Sequence, residues 1–122
     1  MIGRAAAALA LAAAGMAGVA AAPAAAGNAK PVHKTVRVAD YYLSPAKLTV
    51  PRRSTITWKW PSVAGDSHDV KLTKTRPKGV KRFQSDIAAS DYQFKRRLRV
   101  KGKYVVICSL HPNDMRQTIT VR

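Results

Sequence analysis

The sequence predicts an all-β chain folded as an antiparallel β-sandwich. Apolar and polar residues alternate with a period of two over most of its length, turn-forming residues separate the alternating runs, and the 122 residues leave room for one core. One domain follows from that length.

Residues 1–26, MIGRAAAALALAAAGMAGVAAAPAAA, carry a single charge at Arg4 and then an uncharged, alanine-rich run, with small residues at Ala24 and Ala26 where a signal peptidase cuts. We read them as a signal peptide and residues 27–122 as the mature domain, exported to a periplasm, a cell envelope or the medium. A retained transmembrane anchor is the alternative, because residues 5–26 are uncharged and long enough to cross a bilayer. The alanine content, with Pro23 and Gly27 at the expected cut, favours removal. Loss of Arg4 with that segment lowers the formal charge from +16 to +15.

The alternating runs give the strands in order. Val36 and Val38 share one face of the first, and Leu48 and Val50 share a face of the next. Ile56, Trp58 and Trp60 follow, then Val70 and Leu72. Tyr92, Phe94, Leu98 and Val100 make a fifth run, Tyr104 and Val106 a sixth, and Ile119 and Val121 the last. Arg96 falls on the apolar parity of its run, so either a bulge shifts the register there or its stem covers the core edge while its head reaches water. Ser44-Pro45-Ala46, Pro51-Arg52-Arg53, residues 61–66, residues 74–90 and Lys101-Gly102 have turn chemistry. Helix fits only residues 86–91.

Exported small domains acquire disulfides in pairs, yet this chain has one cysteine, Cys108. A lone cysteine in that setting is buried and inert, paired with another chain, or used as a ligand or nucleophile. Its surroundings favour the ligand: residues 104–115, YVVICSLHPNDM, begin as a strand, end as a loop, and gather Cys108, His111 and Met115 within eight residues. Cys108 shares parity with Tyr104 and Val106, so its sulfur points inward. His68 has the parity of Val70 and Leu72 and brings a fourth inward donor. A thiolate, two imidazoles and a thioether suit copper in an electron-transfer site, whereas structural zinc takes more thiolates and no thioether. Each residue alone has a plain structural use; the combination in a strand-rich exported chain points to a metal. His33 lacks such neighbours and reads as a solvated residue. Trp58 and Trp60 read as core.

With these residues in place the sequence resembles the cupredoxins, the small blue copper proteins that include plastocyanin, amicyanin and pseudoazurin. Residues 38–51, VADYYLSPAKLTVP, look like the family's opening, and residues 54–60 resemble the strand before the first ligand. Ser67-His68-Asp69-Val70, Phe83-Gln84-Ser85, Gly102-Lys103-Tyr104 and Cys108-Ser109-Leu110-His111-Pro112 complete the order. The resemblance implies a Greek-key sandwich of about seven to eight strands and one copper ion per chain, cycling between Cu(I) and Cu(II). It also implies His68, Cys108, His111 and Met115 as the ligands, with Leu110 and Pro112 forming an apolar rim round the exposed edge of His111. Two features depart from the family pattern. Three residues separate His111 from Met115, where two or four are usual, and Asp stands at position 69, where Asn is common. An ionised Asp69 favours Cu(II) over Cu(I).

The expected function is therefore one-electron transfer without catalysis, since four protein donors leave no open position for substrate. Copper storage or delivery through the same residues, and a metal-free cationic sandwich that binds surfaces, are the alternatives. Lys71, Lys74, Arg76, Lys78, Lys81 and Arg82 form one basic stretch, and Lys95, Arg96, Arg97, Arg99, Lys101 and Lys103 another. Their field would steer an acidic redox protein, an anionic membrane or an anionic envelope polymer. Export and the lack of any base-reading motif argue against nucleic acid. A monomer is expected.

Overall fold

Alternation at period two becomes eight strands in a computed structural model that describes residues 29–122. The expected signal peptide and its cleavage point lie outside the described residues. The strands are β1 (His33–Ala39), β2 (Tyr42–Ser44), β3 (Lys47–Val50), β4 (Ser54–Lys59), β5 (Lys71–Leu72), β6 (Gln93–Leu98), β7 (Gly102–Ile107) and β8 (Arg116–Val121). They form two four-stranded sheets, in the orders β2-β1-β4-β6 and β3-β8-β7-β5, and the described residues contain no helix. The sandwich is mixed in direction. β1 runs parallel to β4 and β3 parallel to β8, while the other neighbours are antiparallel.

The predicted inward residues make the core between the sheets. Val36, Val38, Ile56 and Trp58 from one sheet meet Leu72, Tyr104, Val106, Ile119 and Val121 from the other, all buried. Trp58 also ties the layers by polar contact. Its indole N–H donates to Gln117 Oε1 at 2.9 Å, and Gln117 Nε2 donates to the Pro45 carbonyl at 2.8 Å, so one buried amide joins β4, β8 and the turn before β3. Gly102 opens β7 at a φ of +134°, which L side chains rarely adopt, and a Cβ there would meet Pro77 at 2.9 Å.

Three sequence expectations resolve differently from one another. Arg96 sits in unbroken register opposite Ile56 on β4, so no bulge exists there. Its guanidinium lies 4.2 Å from the Phe94 ring centre, and its stem covers the open edge of the sandwich. Val100 does not join the core, because β6 ends at Leu98 and Val100 is carried out on the turn that crosses to β7. No helix forms over residues 86–91. The Ser85 N–H donates to the Val70 carbonyl, and Ala88 exchanges both backbone bonds with His68, which removes the groups a helix would need.

Replacing Gln117 by Leu strands the buried Trp58 indole N–H and takes the donor from the Pro45 carbonyl. It should destabilise the fold by about 2–3 kcal/mol, seen as a lower urea midpoint at unchanged slope; an unchanged midpoint would show that the amide bridge contributes nothing.

Candidate metal centre

All four predicted donors sit on segments that leave strand ends at the same edge of the sandwich. β4 ends at Lys59, and the chain returns as an extended segment in which His68, Asp69 and Val70 are all buried. His68 is held by its backbone pair with Ala88, at 2.9 and 3.0 Å. Cys108 lies one residue beyond β7 and is fully buried. The loop after it closes on itself. The His111 N–H donates to the Cys108 carbonyl, the Met115 N–H to the His111 carbonyl, and the Cys108 N–H to the Met115 carbonyl, at 3.2, 3.0 and 3.0 Å. Met115 is fully buried beneath this loop.

His68 Nδ1 and His111 Nδ1 are 3.3 Å apart, and Cys108 Sγ is 3.9 Å from the first and 3.7 Å from the second. A triangle with these edges has a centre about 2.1 Å from each corner, close to the metal–nitrogen and metal–thiolate bond range. Two imidazole nitrogens and a thiolate around one point, with a buried methionine in the adjoining loop, fit copper by donor softness and number.

Each imidazole turns its other nitrogen toward a carboxylate. His68 Nε2 lies 2.6 Å from Asp40 Oδ1, and His111 Nε2 lies 3.3 Å from Asp66 Oδ2. With Nδ1 reserved for the shared point, Nε2 carries the proton and donates, which fixes tautomer and ring orientation. The Asp66 N–H donates to Asp40 in turn, at 3.0 Å. Gly65 makes that approach possible, since a Cβ there would sit 2.7 Å from Asp40 Oδ2. Tyr41 covers the pair, its ring 4.9 Å from that of His111 and 5.9 Å from that of His68, and its hydroxyl donates to Asp66. The Ser67 N–H and the Tyr41 hydroxyl hold the Asp66 carboxyl below its ordinary range, and the same hydroxyl contact pushes Tyr41 up.

Asp69 joins the two ligand segments. Its Oδ1 accepts the Ser109 N–H at 2.6 Å, and its Oδ2 accepts the Ser109 hydroxyl at 2.6 Å and Gln84 Nε2 at 2.8 Å. Burial alone would raise its pKa; the hydrogen bonds from Ser109 and Gln84 outweigh that and hold the carboxyl below its ordinary range.

The structure thus brings His68, Cys108 and His111 to one point with Met115 in the same loop, and leaves His33 exposed on β1. Leu110 and Pro112 are exposed beside His111. Asp40, Tyr41 and Asp66 escaped the sequence reading. Asp40 stands 28 residues before His68 on the turn between β1 and β2, a separation that carries no spacing signal.

Residues 31–122 match the family described as copper binding proteins, plastocyanin/azurin family. Among solved structures, a Sinorhizobium pseudoazurin is 20% identical with a TM-score of 0.64, over 75% of this chain and 74% of its own. A purple cupredoxin from Nitrosopumilus maritimus is 21% identical with a TM-score of 0.59, over 72% and 98%. A copper-containing nitrite reductase from Thermus scotoductus is 24% identical with a TM-score of 0.62, over 76% of this chain and 22% of that one. At such identities the likeness speaks for the fold. No curated protein matches the chain.

Two outcomes test the groups behind the donors. Asp69 has a depressed pKa in the folded state, so its stabilisation is complete above the unfolded carboxyl range, near pH 4, and fades as pH falls through the folded value. Thermal melts of the metal-free protein at pH 7 and at about pH 3 should show a smaller acid loss in Asp69→Asn than in the parent; equal losses would contradict the assignment. Asp40→Asn keeps the shape but loses the charge on His68, and should weaken Zn(II) binding by about 10- to 100-fold in a chelator competition.

Proposed function

The chain belongs to the plastocyanin/azurin family of copper-binding proteins, and from that premise we propose that it is an exported blue copper protein that carries one electron at a single copper ion. The observation that carries this reading is the convergence of His68 Nδ1, His111 Nδ1 and Cys108 Sγ on one point. His68, Cys108 and His111 would hold the copper, with Met115 from the same loop as the fourth donor. Copper bound there would supply the one-electron couple. The surrounding residues do the rest. Asp69 and the closed 108–115 loop keep the donors from moving, so little rearranges when charge changes. Asp40 and Asp66 hold the imidazole rings, and their negative charge, with that of Asp69, favours the more positive oxidation state.

Electron exchange belongs at His111. Its side chain is 23% exposed and is ringed by Tyr41, Leu110 and Pro112. That apolar rim suits a transient redox partner. Arg116, which reaches the Pro112 carbonyl at 3.4 Å, stands beside it to meet an acidic one. Four protein donors leave no open position for substrate, which favours a carrier over an enzyme.

Addition of Cu(II) to the protein should produce an intense visible thiolate-to-copper band, and Cys108→Ser should abolish it while the fold remains. A band that persists in the serine variant, or one that never forms, would end the proposal. Fast electron self-exchange of the loaded protein should accompany the band. Slow exchange with ready handover of copper to an acceptor would instead support storage or delivery.

A further inference from the structure

Acidic charge in this protein gathers at one end. All six acidic residues are Asp on segments at the metal end. Asp40 and Asp66 face the imidazoles, Asp69 holds Ser109, and Asp114 lies between His111 and Met115. Asp86 and Asp91 belong to the segment that pairs with His68 through Ala88 and with Pro61 through the Asp91 N–H. Among the described residues both ion pairs involve the histidines His68 and His111, so no Lys or Arg there has a carboxylate within 4.0 Å.

The opposite end begins where β7 starts, six residues before Cys108, a strand length of roughly 20 Å. Residues 99–101, Arg-Val-Lys, turn there from one sheet to the other, and Val100 is 41% exposed between two cations. The Tyr104 hydroxyl fixes the turn by donating to the Val100 carbonyl at 2.6 Å. A cavity of about 320 Å³ opens beside it. Arg82, Arg96, Arg97 and Arg99 border the cavity, no carboxylate does, and its inner wall is Phe83, Leu98 and Tyr104. Two of the guanidinium groups are already positioned. Arg96 stacks on Phe94 and donates to the Lys95 carbonyl at 2.7 Å, and Arg97 Nε donates to the Arg53 carbonyl at 3.1 Å.

We propose that this end docks the protein on an anionic phospholipid bilayer, with the arginines on headgroup phosphates, Val100 at the headgroup boundary, and His111 facing away from the lipid. Unpaired planar guanidinium groups match phosphate oxygens. An apolar wall directly beneath them matches an amphiphile better than a wholly polar polyanion, and exposed apolar residues flanked by cations suit the bilayer interface. The docking rests on the charge and the turn alone, so it stands or falls independently of electron transfer.

The test is co-sedimentation of the full chain with phosphatidylcholine vesicles and with vesicles that also contain phosphatidylglycerol, read as the ratio of anionic to neutral binding. That ratio also cancels any contribution of the apolar N-terminal segment. The parent should favour anionic vesicles, more so at low salt. The triple variant R82Q/R96Q/R99Q should lower the ratio at least about tenfold, and Val100→Ser should lower binding to the anionic vesicles themselves without any change of charge. The equal-charge control R37Q/K47Q/K59Q, at cations on the metal end, should stay within about twofold of the parent, and melts establish that each variant is folded. An equal loss in the control, no preference for anionic vesicles, or displacement by inorganic phosphate or polyphosphate at matched phosphate concentration would overturn the proposal.

Discussion

A buried carboxylate ties the metal end together. Asp69 has no solvent exposure, yet it meets three donors, two from Ser109 and one from Gln84. His68 precedes it and Cys108 precedes Ser109, so one side-chain clamp sets the distance between donors that lie 40 residues apart in sequence. An asparagine could accept the Ser109 N–H but would present an amide NH2 where the second oxygen now accepts from the Ser109 hydroxyl and Gln84. The charge and the three donors therefore belong together. Hydrogen bonds to an ionised group are the strong class, and here they offset the burial of the charge.

Rigidity then passes outward from that clamp. The 108–115 loop closes through three backbone bonds, His68 is locked to Ala88, and both imidazoles rest on carboxylates. The sandwich beneath is held by Trp58 and Gln117 across the two sheets. The proposed one-electron role needs this order of support, from core to clamp to ring. The carboxylates gather at the metal end and pair with its histidines, while the opposite end carries cations without a carboxylate partner.

Much of this was legible in the sequence because period-two alternation writes the inward face directly. Val36, Trp58, Leu72, Tyr104 and Ile119 are buried as their parity requires. The candidate donors could be picked out through residue chemistry, since Cys108, His111 and Met115 lie in one short segment and share one loop. Parity failed where the strands stop. Val100 keeps the apolar spacing but lies past the end of β6, and Arg96 keeps the inward position while stacking its head on an aromatic ring at the sheet edge. The 86–91 segment could not be read locally because its backbone partners are His68, Gly65 and Pro61, residues far from a helical spacing. Asp40, Tyr41 and Gly65 were hidden for a similar reason. Their roles depend on the approach of two turns, one after β1 and one after β4, which only the folded sheets bring together.

The central claim is that two imidazole Nδ1 atoms and one thiolate define a single metal position. X-ray absorption at the copper edge of the Cu(II)-loaded protein tests it most directly. The account predicts two nitrogen neighbours and one short sulfur neighbour at bonding distance. A shell of nitrogen and oxygen atoms without that sulfur would contradict it.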